Sequence, residues 1–88
     1  MTPARTVRDA KRRESAGRIA GIADARAFRP LRGDMSSLDY KRGYENGYVI
    51  SLEKMTGIKP DADFVLEFHF AAQISRAAVE NFLVARVH

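Results

Sequence analysis

Residues 38–48 read LDYKRGYENGY and place the three tyrosines of the chain four residues apart, at positions 40, 44 and 48. A four-residue step keeps side chains on one face of an α-helix. Gly43 and Gly47 precede two of the tyrosines, although glycine inside a helix costs about 0.5–1 kcal/mol relative to alanine. The stretch therefore predicts a helix with an aromatic stripe beside a stripe where another element packs closely.

A second pair of glycines with the same spacing lies upstream. Gly17 and Gly21 form a G-x-x-x-G pattern, as do Gly43 and Gly47. Small residues on facing stripes let two helix backbones approach closely. We therefore predict a helical hairpin in which the first two helices pack closely and antiparallel.

Start and stop signals give the limits of these two helices. The first is predicted from about Thr6, a candidate N-cap, to Ala27, and Pro30 in FRPLRGDMSS prevents it from continuing. The second is predicted to begin after one of the two serines at 36 and 37 and to end near Thr56. Gly57 follows as the C-terminal cap.

The third segment allows two interpretations. One is a single amphipathic helix from about Ala62 to Val87. The other takes residues 63–70, DFVLEFHF, as a strand, because apolar residues alternate there with Glu67 and His69. The helical continuation AAQISRAAVENFLVARV favours the first. The predicted fold class is all-α, a small helical hairpin plus a C-terminal amphipathic helix, with α+β as the alternative.

The chain of 88 residues is long enough for one small domain, which we divide into three parts. Residues 1–11 are expected to be a flexible basic arm, 12–57 the helical hairpin, and 61–88 the C-terminal amphipathic segment, and the N-terminal half of the first helix is expected to order only on a partner. There is no cysteine, which excludes disulfides and thiolate sites. The start lacks a signal-peptide core and no run suits a membrane span, so a cytoplasmic protein with no membrane partner is expected.

The excess positive charge of the chain is concentrated in its N-terminal third. Residues 1–32 carry nine basic and three acidic side chains, whereas residues 33–88 carry six basic and eight acidic ones. Most of the basic residues are arginines, whose planar fork suits phosphate groups. This distribution favours a polyanionic partner such as RNA.

Residues 16–48, AGRIAGIADARAFRPLRGDMSSLDYKRGYENGY, resemble the bacterial ribosome modulation factor family, and the similarity extends over about residues 12–55. The family pattern has a G-x-x-x-G helix, a Cys-Pro turn and a W-x-x-G-W motif opening the second helix. The corresponding residues here are Gly17, Gly21, Pro30, Tyr40, Gly43 and Tyr44. Arg29 stands in place of the cysteine, both tryptophans are tyrosines, and the third segment has no counterpart.

The resemblance implies ribosome hibernation. Family members bind the small ribosomal subunit near the 3′ end of its RNA, block messenger entry and promote inactive ribosome dimers in slow growth and stationary phase. The expected function is therefore non-catalytic RNA binding that represses translation. The alternative is a protein–protein adaptor or inhibitor, phage- or plasmid-encoded, whose basic arm meets an acidic protein.

The candidate RNA-binding residues are the basic side chains of the first two helices and their connection. They are Arg12, Arg13, Arg18, Arg26, Arg29, Arg32, Lys41 and Arg42. Tyr40 and Tyr44 could stack on bases, but aromatic residues at helical spacing more often pack in a core. Core packing is therefore the favoured interpretation.

The apolar side chains of the third segment have two interpretations as well. Phe64, Phe68 and Phe82 could cover the hairpin and complete a three-helix core, or form a partner or homodimer face. The two histidines, His69 and His88, lack metal-ligand spacing. No nucleophile arrangement or phosphate loop is present. No metal, cofactor or enzymatic activity is therefore expected.

Overall fold

The computed structural model describes residues 7–87, which form four helices and no strand. The helices are α1 (Val7–Arg26), α2 (Leu38–Thr56), α3 (Ala62–Ile74) and α4 (Arg76–Val87). The predicted all-α fold is confirmed, and the strand alternative for residues 63–70 is wrong. Residues 7–11, assigned from the sequence to a separate arm, belong to α1. The proposed N-cap Thr6 and His88 lie outside the described residues.

Helices α1 and α2 run parallel, so the expected antiparallel arrangement is wrong. The residue pairs in closest backbone contact are Glu14 with Gly43, Gly17 with Tyr40 and Tyr44, Arg18 with Gly47, and Gly21 with Tyr44 and Tyr48. Residue numbers increase in the same direction along both helices in these contacts, so the two helices are parallel. The connection over residues 27–37, called the crossover below, makes this arrangement feasible. An extended chain advances about 3.3 Å per residue, whereas a helix rises about 1.5 Å per residue. The crossover can therefore run from the C-terminal end of α1 back to the level where α2 begins.

The crossover begins with a Schellman turn at the end of α1. The backbone N–H of Arg29 donates to the Asp24 carbonyl at 2.8 Å, and that of Phe28 donates to the Ala25 carbonyl at 3.0 Å. Phe28 adopts φ 60°, in the left-handed region that glycine usually occupies at this position. Its ring packs edge-on against Phe68, with ring centroids 6.0 Å apart. That packing offsets the backbone strain.

The spacing of the tyrosines follows the path of the crossover. The Tyr48 hydroxyl donates to the backbone carbonyl of Arg29, and the Tyr44 hydroxyl accepts from the backbone N–H of Arg32 at 3.2 Å. Successive tyrosines, one turn apart, thus meet crossover residues three positions apart, because the extended chain runs opposite to α2. The tyrosine stripe is the surface on which the crossover lies.

Local caps set the limits of α2 as predicted from the sequence. The Ser37 hydroxyl oxygen accepts from the backbone N–H of Tyr40 at 3.2 Å, and Gly57 takes a left-handed conformation with φ 74°. Both caps depend on residues adjacent to the helix, which is why the sequence predicts them well.

Helix α3 packs against the crossover and against Tyr48 of α2. The Asp61 carboxylate accepts from the backbone N–H of Phe64 at 2.8 Å and caps the helix. Phe64 and Phe68, four residues apart, are buried, and the Phe68 ring packs edge-on against Tyr48. Leu66 and Phe70 are exposed on the other side. Apolar residues on both faces produced the alternation that resembled a strand.

Ser75 divides the C-terminal segment, so the single helix expected from Ala62 to Val87 is wrong. Ser75 is extended, with φ −174° and ψ 166°, and its hydroxyl oxygen accepts from the backbone N–H of Ala78 at 3.0 Å. A serine in this role caps a new helix. With the helix broken at Ser75, the Val79 side chain of α4 lies in the core, where it is fully buried.

Candidate nucleic-acid interface

A row of basic side chains on α1 has no acidic partner among residues 7–87. Arg12 and Arg26 are exposed and Arg18 is half-buried, and none of them belongs to an ion pair of the described residues. The face of α1 that meets α2 is instead formed by small residues, including Gly17 and Gly21. Burial of the small-residue face leaves the arginines toward solvent, where they can bind an anionic partner.

The basic residues at the start of α2 lie beside the first half of α1. Lys41 and Arg42 are exposed, and they precede Gly43, which contacts the backbone of Glu14. An antiparallel hairpin would have put them beside Arg26 instead. The parallel pair therefore places Lys41 and Arg42 at the same level along the helix axis as the N-terminal half of α1.

Arg13 differs from its neighbours because it has an acidic partner. Its guanidinium lies 2.9 Å from the Asp39 carboxylate in the first turn of α2. Both side chains are about one-third exposed, at 35% and 32%. The pair joins the N-terminal parts of the two helices. The Asp39 carboxylate also offsets the positive charge of Arg13, which was expected to contact phosphate.

Arg29 and Arg32, two predicted phosphate contacts, bind a buried carboxylate. The Arg29 guanidinium lies 2.8 Å from Asp24 Oδ1, and the Arg32 Nε lies 2.8 Å from Asp24 Oδ2. The Tyr44 hydroxyl donates to Asp24 Oδ2 at 2.8 Å. The Asp24 side chain is only 1% exposed, whereas the two arginines are 61% and 49% exposed. Their main contact is structural: they tie the crossover to α1.

The surroundings of Asp24 change the pKa values of the cluster. Burial alone would raise the pKa of the Asp24 carboxyl, but hydrogen bonds from Arg32, Tyr44 and Arg29 outweigh burial and lower it below its usual value. Burial, together with the hydrogen bond to Asp24, raises the pKa of Tyr44 to about 12. Burial also raises the pKa of Tyr48. The cluster is therefore held with an ionised carboxylate and protonated phenols.

Asp24 was not predicted as a site residue, although the sequence contains a signal for its burial. Asp24 lies seven residues after Gly17 and three after Gly21, on the same face of α1. A carboxylate on a buried small-residue stripe requires donors close by. The identity of those donors depends on the path of the crossover, which local patterns do not specify.

Tyr40 and Tyr44 occupy different environments. Tyr44 is 1% exposed and lies in the core, so it cannot stack on a base without unfolding. Tyr40 is half-buried and lines the same surface depression as Arg13 and Arg32. The favoured core interpretation is therefore correct for Tyr44. Pro30, the remaining residue of the resemblance, is half-buried within the crossover.

The proposed partner face at Phe64 and Phe68 is wrong. These side chains are 6% and 0% exposed, since they fill the space between α2, the crossover and α4. Phe82 is half-buried against the core, with its ring centroid 5.1 Å from that of Phe64. All three phenylalanines therefore stabilise the fold, as in the alternative of a covered hairpin.

A cleft lies where α1 and α2 end side by side. Its volume is about 230 Å³, and it is lined by Ile22, Arg26, Ile50, Ser51, Lys54 and Met55. Parallel helices bring their negative dipole ends together, and Arg26 and Lys54 lie in the two last turns, where cations are stabilising. The cleft was not predicted from the sequence, because its walls come from both helices.

Comparison with known proteins gives no match to a family model, a curated protein or a solved structure. In the part of the chain that the structure describes, no helix has the length and apolarity required to cross a bilayer. Histidine, aspartate and glutamate side chains within residues 7–87 form no group suited to a metal ion. These comparisons therefore assign no function to the chain.

Proposed function

We propose that this protein is a non-catalytic RNA-binding protein that acts on the small ribosomal subunit and represses translation. The observation that carries the proposal is the row formed by Arg12, Arg18 and Arg26, which lack acidic partners among residues 7–87. Unpaired guanidinium groups on a rigid helix are suited to phosphate, since they bind it through paired N–H donors.

The dimensions of the row fit a nucleic-acid backbone. Arg12 and Arg26 are separated by about 21 Å along the helix axis, from a rise of about 1.5 Å per residue. That length covers several consecutive phosphates. RNA is recognised largely through backbone shape and phosphate contacts, which arginines spread along and around the solvent side of α1 provide without base-specific groups.

The ribosomal target is supported by the resemblance to ribosome modulation factors. The corresponding residues, Gly17, Gly21, Gly43 and Tyr44, build the contact between α1 and α2. They fix the scaffold on which the basic row is displayed. The ribosomal target and repression in stationary phase are inferred from this analogy.

The salt dependence of RNA binding tests the proposal. Each lost phosphate contact should reduce the slope of log K against log salt by about 0.7–0.9. We expect that reduction for Arg12→Gln and for Arg18→Gln. Lys59→Gln removes a charge from the connection between α2 and α3 and should leave the slope unchanged. Equal slopes for all three variants would overturn the assignment of the row.

A protein partner is the second candidate, favoured by an exposed apolar stripe on α3. Leu66, Phe70 and Ile74 lie four residues apart and are 47%, 56% and 76% exposed. An adaptor bound through this stripe would tolerate salt and would lose affinity on Phe70→Ala. The RNA proposal predicts the opposite, namely strong salt dependence and an unchanged affinity for Phe70→Ala.

A further inference from the structure

We propose that the cleft at the C-terminal ends of α1 and α2 takes one unstacked base of single-stranded RNA, with Arg26 and Lys54 at the adjacent phosphates. This inference rests on the proposed RNA binding and assigns a particular site to it. The cleft is lined by apolar side chains from both helices, Ile22 from α1 and Ile50 and Met55 from α2. Its two cations, Arg26 and Lys54, come from the same two helices, and their two positive charges exceed the roughly half negative charge that each helix C-terminus contributes.

The chemistry of the cleft matches a nucleotide, which combines an apolar flat ring with an anion. A volume of about 230 Å³ is smaller than the roughly 300–1,000 Å³ typical of sites for drug-sized ligands. It is suited to a single ring system. Met55 is unbranched and adapts its shape to a ring. The Arg26 guanidinium can stack on a base or bind its phosphate.

The cleft continues the basic row of α1. Arg18, Ile22 and Arg26 follow one another at four-residue steps and therefore share one face of the helix. Arg18 also lies at the helix contact, since its backbone carbonyl meets Gly47. A strand that follows the row toward the C-terminus of α1 therefore reaches Ile22 and the cleft directly after Arg18.

An acidic peptide fits the cleft less well than a nucleotide. Aspartate and glutamate carry their charge at the end of a short side chain, so an ion pair with Arg26 or Lys54 would leave the apolar walls exposed. A base covers those walls while its phosphate pairs with the cations. The burial of Ile22, Ile50 and Met55 by a ring favours the nucleotide.

The test compares two substitutions with the same change of charge. Met55 and Ile58 are similarly exposed, at 38% and 40%, but only Met55 lines the cleft. We expect Met55→Glu to weaken binding of a short single-stranded RNA about tenfold, the effect of losing one base contact. Ile58→Glu should bind like the unchanged protein. Replacing one nucleotide by an abasic site should weaken binding to the unchanged protein more than binding to Met55→Glu.

Methionine methyl resonances provide a direct measurement of occupancy. Met55 lies in the cleft, whereas Met35 lies in the crossover and serves as an internal reference. RNA should shift the Met55 methyl resonance strongly, and an abasic RNA should shift it less.

Three results would contradict the inference. RNA binding with a reduced slope for Arg12→Gln, but equal affinity for Met55→Glu and Ile58→Glu, would overturn the base site while leaving the proposed function intact. A shift of Met55 by poly-glutamate and not by RNA would assign the cleft to an acidic peptide. Absence of RNA binding at low salt would overturn the proposed function and this inference together.

Discussion

Alanine at the helix crossing should destabilise the protein, although alanine is the better helix former. In Gly21→Ala the new Cβ would lie 2.0 Å from the Tyr44 carbonyl oxygen, whereas ordinary contact begins at 3.4 Å. The two backbones must therefore separate by more than 1 Å, since no side-chain rotamer relieves the clash. Alanine gains about 1 kcal/mol in helix propensity.

The cost of separating the helices exceeds this gain. Overpacking typically costs about 1–3 kcal/mol and occasionally more, and a clash between two backbones belongs at the upper end. Separation also stretches the 2.8 Å hydrogen bond between Tyr44 and Asp24. We expect a net loss of about 2 kcal/mol in the free energy of unfolding. In a domain of this size that corresponds to a melting temperature lower by roughly 8–16 °C.

Thermal unfolding followed by circular dichroism measures this effect. Gly33→Ala is the matched control, because a Cβ at Gly33 meets nothing within 4 Å. That variant should be neutral, or stabilised by about 0.4–1 kcal/mol through the unfolded chain. If Gly21→Ala proved as stable as Gly33→Ala, the close parallel packing of α1 and α2 would be refuted.

Three further predictions concern the Asp24 cluster and a helix cap. Asp24→Asn should lower the free energy of unfolding by about 2 kcal/mol at neutral pH. The pKa of Asp24 is lowered in the folded state, so the stability that its carboxylate contributes is present above a pH of about 4 and is lost on acidification. As pH is lowered, the urea midpoint should therefore fall less steeply for Asp24→Asn than for the unchanged protein. The raised pKa of Tyr44, about 12, stabilises the fold below the unfolded pKa of about 10. That contribution is lost as pH rises toward the folded value, and Tyr44→Phe should reduce the alkaline loss of stability in the same urea assay, leaving the part that comes from the raised pKa of Tyr48. Gly57→Ala places a Cβ at φ 74° and should lower the free energy of unfolding by about 1 kcal/mol in chemical denaturation; an unchanged midpoint would contradict the left-handed cap.

The sequence predicted features that depend on neighbouring residues. Ser37 and Gly57 mark the ends of α2 because capping involves only the adjacent turn. The glycine pairs likewise predicted which helix faces meet. They could not predict whether the two helices run parallel or antiparallel, since the spacing of the glycines in G-x-x-x-G is the same in both chain directions. Direction depends on the length and extended path of residues 27–37.

The candidate site was predicted less completely, for the same reason. The exposed arginines of α1 follow from composition and periodicity. Arg29 and Arg32 looked equivalent to them, yet the crossover folds back and brings both to Asp24. The cleft that Lys54 and Met55 line was not predicted, because it exists only when α1 and α2 lie side by side in parallel.

Sedimentation with small ribosomal subunits in sucrose gradients tests the central claim most directly. The experiment compares three proteins at low and moderate salt, namely the unchanged protein, Arg12→Glu and the charge-matched control Lys59→Glu. The account predicts that the unchanged protein and Lys59→Glu migrate with the subunit at low salt and are partly released at moderate salt, whereas Arg12→Glu is weakened at both. Protein remaining at the top of the gradient at both salt concentrations, or equal migration of all three proteins, would contradict the account.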